Sequence, residues 1–235
     1  MGNELAGSLT ARAIKEFAYG SGCDLCGIAS VDRFLDMPAM SNPGEILRGA
    51  RSVIVVAKKF LRSSIRSASA IPYTIIRNGL SRAVDEITIG LAGAIEDRGY
   101  AAIPTGAIEP CNYDEETGRT MGLISLKNAA RQAGLGVIGK NTLLITPEYG
   151  NMVWLGAVIT SLSLEPDRLL EDGPCNEACR MCIDSCPVGA IDGSAFMRQG
   201  TCWEYAFGRE GGGEWRIKCH ACRTACPYSN GYDRA

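Results

Sequence analysis

Apolar residues fall in short groups along the chain, and their spacing changes from helical to extended and back. Residues 9–19 read as a first helix, stopped by Gly20 and Gly22. Residues 25–29 read as a short strand. Residues 52–58 (SVIVVAK) are β-branched and almost continuously apolar, which predicts a strand covered on both faces. Over 83–98, Ile87, Leu91, Ala94 and Ile95 share one helical face, and 100–103 reads as a further strand. Residues 125–133 read as a helix stopped by Gly134. Residues 142–145 and 153–160 read as a pair of strands around the Pro147-Glu-Tyr-Gly150 turn. This mixture predicts an α/β or α+β layer fold of about 165 residues. The apolar patterning stops near Leu164-Glu-Pro-Asp167 and Glu171-Asp-Gly-Pro174, so two domains are expected, 1–168 and 169–235.

Composition sharpens this picture. Hydrophobic residues make up 46% of the 235 and charged residues 21%, enough to build a substantial core and too apolar for disorder or a fibrous repeat. The longest apolar runs, such as 52–57 and 153–159, fall far short of the roughly 20 residues a membrane helix needs. No basic segment followed by an apolar stretch opens the sequence, so the expected setting is the cytoplasm. A net charge of −2 and a pI near 5.6 argue against a protein that coats nucleic acid. One local asymmetry stands out. Between Ile46 and Val84 there is no Asp or Glu but eight basic residues: Arg48, Arg51, Lys58, Lys59, Arg62, Arg66, Arg77 and Arg82. They form either solvated faces or a positive surface for a phosphate-bearing ligand or an RNA backbone.

The eleven cysteines are unevenly spread. Cys23, Cys26 and Cys111 lie early; the other eight lie between 175 and 226. An odd number with no secretory leader disfavours a disulfide framework and favours metal or cluster binding. One run reads Cys175-x3-Cys179-x2-Cys182-x3-Cys186-Pro187; after Cys202 a second reads Cys219-x2-Cys222-x3-Cys226-Pro227. In two-cluster ferredoxins the cysteine before the proline ligates the other cluster. That crossing gives two complete sets: Cys175, Cys179, Cys182 and Cys226 for one [4Fe–4S] cluster, and Cys186, Cys202, Cys219 and Cys222 for the second. Zinc ribbons also use Cys-x2-Cys pairs, but the paired Cys-Pro endings are a ferredoxin feature. His220, the only histidine, is expected beside the cluster rather than on it. The first domain therefore offers no histidine base or axial histidine ligand. Cys23 and Cys26 are expected to be buried small hydrophobes, and Cys111 a loop thiol.

The order of motifs resembles the epoxyqueuosine reductase family. The resemblance rests on AGLGVIGKNTLLI from Ala133, YGNMVWLGAVIT from Tyr149, CPVGAI from Cys186, the lone Cys202, Cys219-His-Ala-Cys222, Cys226-Pro-Tyr228 and PGEILRGARSVIVV from Pro43. It implies a nitroreductase-like cobalamin-binding domain, shared with reductive dehalogenases, followed by a ferredoxin-like domain with two clusters. The clusters would pass electrons, supplied by a donor such as ferredoxin or flavodoxin, to a base-off cobalamin that reduces a small molecule or a modified nucleoside in tRNA. By position, Gly134, Gly136, Gly139, Lys140 and Asn141 would border the cofactor.

The sequence departs from the family at one catalytic position. The family's aspartate proton donor has no counterpart; Pro104 stands in its place, and Glu109, Tyr113 and Asp114 are the alternative donors. The sequence ends nine residues after Cys226, so the helical repeat domain of many family members, and with it one tRNA platform, is not expected. Three functions remain open at this point. They are a cobalamin-dependent reductase, an electron-transfer module that reduces a partner such as a corrinoid protein, and a reductase using FMN.

Overall fold

A computed structural model describes residues 8–35, 42–108, 110–115, 118–209 and 213–232. In chain order the elements are α1 (Ala11–Gly20), β1 (Leu25–Ser30), α2 (Pro43–Ile46), β2 (Ser52–Lys59), α3 (Ile71–Glu96), β3 (Ala102–Pro104), β4 (Asn112–Asp114), β5 (Arg119–Met121), α4 (Leu126–Gln132), β6 (Val137–Ile138), β7 (Leu144–Ile145) and β8 (Val153–Thr160). Then follow α5 (Met181–Asp184), α6 (Gln199–Ala206), β9 (Phe207–Arg209), β10 (Trp215–Ile217) and α7 (Ala221–Thr224).

The main sheet has the order β1-β2-β8-β3, antiparallel at every pairing. Strands β2 and β8 are centred and pair along their full length, from Ser52 opposite Thr160 to Lys59 opposite Val153. Alternate residues of β2 point to opposite faces, and both faces are covered. Ile54 and Val56 pack with Ile14 and Phe17 of α1 and with Val84, Leu91 and Ile95 of α3. Val53, Val55 and Ala57 pack with Ala129 and Ala130 of α4 and with Leu144. The continuous apolar run predicted from sequence is thus the signature of a three-layer α/β/α arrangement, although the sheet is antiparallel. At its edge, β1 is clasped by Asp167: the carboxylate accepts the Ile28 N–H at 2.8 Å and pairs with Lys15 at 2.5 Å.

Two expectations are corrected. Helix α3 starts at Ile71 rather than at 83. Its first half, through Tyr73, Ile76 and Leu80, packs on Phe60, Ile65, Met152 and Ile217 instead of on the sheet. The helix serves two partners in succession, so no single apolar stripe runs its length. The strands expected at 142–145 and 153–160 do not pair with each other. Leu144–Ile145 pairs with Val137–Ile138, and β8 enters the main sheet. Only the Thr146–Gly150 bridge joins them before they diverge, because the eight-residue β8 finds a partner of matching length in β2.

Candidate metal centres and an adjoining cavity

The cysteine-bearing segment has little regular structure of its own; α5 and α7 are four residues each. It is held by the layer domain. Lys140 donates to the carbonyls of Glu177 (2.6 Å) and Cys179 (3.0 Å), and Asn141 Nδ2 donates to the Cys222 carbonyl at 3.4 Å. Asn151 Nδ2 donates to the Arg223 carbonyl at 3.2 Å. The 147–150 turn receives the Tyr232 N–H at Pro147 O, 2.8 Å away.

Cys175, Cys179, Cys182 and Cys226 line one narrow cavity, together with Lys140, Asn141, Ile145 and Tyr228. Burial is the first cause that raises the Cys182 and Cys226 thiols above the ordinary range, and the remaining thiols of this set add to it. The other four behave as a second group. Cys202 is raised by burial and then by Cys219 and Cys186; Cys222 is pushed up to about 11, first by burial, against the opposing charge of Arg223, with Cys202, Cys219 and Cys186 contributing further. Cys182, Cys226, Cys202 and Cys222 are thus each influenced by thiols of their own set. Among the described residues no three His, Cys, Asp or Glu side chains gather as closely as a single metal ion requires. His220 stacks on Tyr73 at 4.6 Å, and its Nδ1 lies 2.8 Å from Thr224 Oγ1.

A second, larger cavity of about 230 Å3, open on one side, lies where α4, β7 and the start of β8 meet α7. Leu126, Leu144, Val153 and Leu155 make its wall apolar; Lys127, Asn151, Trp154 and Arg223 supply the polar groups. Asn151 is 1% exposed, and its Oδ1 has no hydrogen-bond partner; neither has the buried Nε1 of Trp154. One acceptor and one donor are left open here. A primary carboxamide would satisfy both, as would ordered water. Lys127 donates to the Thr142 carbonyl at 2.5 Å, and burial, followed by the charge of Arg119, holds its pKa below the usual value.

The glycines predicted to border a cofactor face the chain itself. A Cβ on Gly134 would lie 2.3 Å from Arg168 O, on Gly136 2.4 Å from Ile145 O, and on Gly139 2.6 Å from the Ile145 side chain. They allow the chain to close on itself, and the space they leave is filled by its own atoms. Lys140 and Asn141 sit at the first thiol cavity rather than at the larger one. Of the proposed proton donors, Glu109 lies outside the described residues. Tyr113 is 66% exposed on the β4–β5 hairpin, with Asp114 beside it, and neither lines the larger cavity. That hairpin docks on α6 through Gln199, which bonds Thr120 N and O at 2.7 and 3.1 Å. Cys23 and Cys26 are buried in the core, where burial raises both thiols, Cys23 to about 12. Cys111 is exposed. Lys127, Asn151, Trp154 and Arg223 have no role assigned from sequence. Asn151 and Trp154 lie in the YGNMVWLGAVIT segment and Arg223 inside the second cysteine run, but nothing local to either stretch gives these side chains a task.

No family model matches the chain. Among curated proteins it is 37% identical over 115 residues to an epoxyqueuosine reductase of Listeria monocytogenes, covering 44% of this chain and 29% of that protein. It is 30% identical over 225 residues to an epoxyqueuosine reductase of Gloeobacter violaceus, covering 86% and 64%. The chain spans less than half the length of the relatives it matches first. An epoxyqueuosine reductase solved with an epoxyqueuosine-modified tRNA-Tyr stem loop superposes with a TM-score of 0.59 at 20% identity, covering 95% of this chain and 66% of that one. A reductive dehalogenase described in terms of B12-dependent dehalogenation superposes at 0.65 with 19% identity, covering 97% and 33%. At these identities the structural likeness establishes a shared fold.

Proposed function

Because this chain is a homologue of the epoxyqueuosine reductases, we propose that it is an iron–sulfur reductase that works with cobalamin. Residues 1–168 form the nitroreductase-like cofactor and substrate domain, and 169–235 the ferredoxin-like domain. Cys175, Cys179, Cys182 and Cys226 hold one [4Fe–4S] cluster; Cys186, Cys202, Cys219 and Cys222 hold the other. The observation that carries this reading is the convergence of Cys226 with the three thiols of the distant 175–182 run on one cavity. Thiolates are the donors such clusters take.

We place the second cofactor against the larger cavity, which would take in part of it. Its wall is apolar, no histidine lines it, and the buried, unpartnered Asn151 Oδ1 and Trp154 Nε1 would be the acceptor and donor for carboxamide side chains of a corrin. Bound there, cobalamin supplies the reducing chemistry itself. The chain's part is to position and to manage protons. Lys140 and Asn141 fix loops of both thiol sets to the layer domain. Leu126, Leu144, Val153 and Leu155 exclude water. Lys127, with its lowered pKa, holds a proton at Nζ on the cavity wall and is the donor in this reading. A ferredoxin or flavodoxin delivers the electrons, and the substrate is a modified nucleoside in tRNA or a small molecule of similar reactivity.

Anaerobic reconstitution with iron and sulfide, followed by titration with cob(II)alamin under EPR, tests this. The expected result is about eight irons per chain, as two four-iron clusters require, and a base-on to base-off change at one equivalent. Iron at that level with an unchanged cobalt spectrum would remove cobalamin and turn the search to FMN or to a carrier role.

A further inference from the structure

Arg223 is 6% exposed, yet none of the salt bridges among the described residues includes it. Its guanidinium donates to the Asn151 carbonyl, and its Cζ lies 4.8 Å from the centroid of Phe60. A ring face and one carbonyl orient a cation without neutralising it. A buried charge with no counter-charge is costly, so the arrangement needs a negative group that the protein side chains do not provide. Arg223 follows Cys222 directly in the chain, within α7, and it also lines the larger cavity. A four-iron cluster on four thiolates is negative in both oxidation states and gains one further unit on reduction.

We propose that Arg223 is the built-in counter-charge of the cluster held by Cys186, Cys202, Cys219 and Cys222, raising the reduction potential of that cluster selectively at the cavity wall. The proposal rests on the two-cluster reading above and adds a role that no cysteine spacing implies. Electrostatics favours the reduced form because that form carries the extra electron, and low polarity around a buried guanidinium strengthens the effect. The first thiol set has a different cation. Lys140 is partly exposed, spends its hydrogen bonds on the Glu177 and Cys179 carbonyls and is screened by solvent. Removing Arg223 should therefore move one potential and leave the other.

The test is a redox titration by EPR of the reconstituted two-cluster protein as wild type, Arg223→Lys and Arg223→Gln, with Cys219→Ser identifying the second cluster's signal. In the Gln variant the reduction equilibrium of the second cluster should fall about tenfold or more, which is about 59 mV for a one-electron couple. Lysine should restore most of it, and the first cluster should stay in place. An unmoved second potential, an equal shift of both clusters, or a Lys variant as low as the Gln variant would overturn the proposal. Should the Gln variant fail to take up two clusters, Arg223→Met removes the charge while keeping an apolar stem against Phe60. That variant should lower the same potential, and no change there would equally overturn the assignment. Failure of the wild type to hold two clusters would instead bring down the underlying two-cluster reading, and Arg223's role with it.

Discussion

Strand β2 buries every residue from Ser52 to Ala57 between two helical layers. Among the described residues from 175 to 226, by contrast, the buried apolar ones are only Cys182, Ala190, Ile191, Ala206, Ile217 and Cys226, and two of them are thiols assigned here to iron. The layer domain is held by apolar area removed from water, which accumulates along long, paired strands. The cysteine segment has short helices, small hairpins and a few anchoring hydrogen bonds to the layer domain. On the two-cluster reading, such a segment would draw its order and stability from its metal.

The comparison breaks most visibly if iron is removed. Chelation under anaerobic conditions should abolish amide-exchange protection across 175–226 while leaving β2 and β8 protected. Loss of protection in both regions together would mean that the layer domain has no stability of its own. Next in size is Leu91→Ala. Leu91 is fully buried against the sheet, so the change should cost about 2–5 kcal/mol in denaturant unfolding of the layer domain. Iron content in the native protein should be unchanged. An equal cost to cluster retention would show that the two regions unfold as one.

Gly150→Ala probes the seam between them. Gly150 has φ +58, and a Cβ there would run into the Tyr228 carbonyl and the Gly231 N–H of the cysteine segment. A cost of about 1–3 kcal/mol is expected, expressed as faster loss of iron to a chelator rather than as weakened sheet protection. The smallest effect is a pH signature at Lys127. Burial first, and the charge of Arg119 second, lowers its pKa below the usual 10.5. The folded chain releases this proton at lower pH than the unfolded one, so stability rises with pH from the folded pKa up to 10.5. That rise should be present in wild type and missing in Lys127→Met, measured as the difference between their unfolding free energies across the window.

Much of this was legible in the residues. The run SVIVVAK announced a strand covered on both sides, and β2 is that strand. Paired Cys-Pro endings sorted eight cysteines into two sets, and four of them share a cavity. The helix expected at 83–98 was only the half of α3 that faces the sheet; its first half packs on Phe60, Ile65 and Ile217, which periodicity within the helix does not reveal. The glycines at 134, 136 and 139 were read as openings for a ligand, but nothing in a sequence says whether such an opening is filled by another stretch of the same chain. Here Arg168 and Ile145 fill it.

The sequence by itself determined what is local or repeats at fixed spacing: strand and helix character, the thiol inventory and its spacing, and kinship with the epoxyqueuosine reductases. Tertiary structure alone decided which polar groups meet across the fold. Lys127, Asn151, Trp154 and Arg223 come from α4, the 150–152 turn, β8 and α7, and they share one cavity only once the cysteine segment is docked on the layer domain. The physical reason is that periodicity reports which face of one element avoids water. A cavity wall, and the unmet charge or hydrogen bond that gives it chemistry, depends on which other element covers that face.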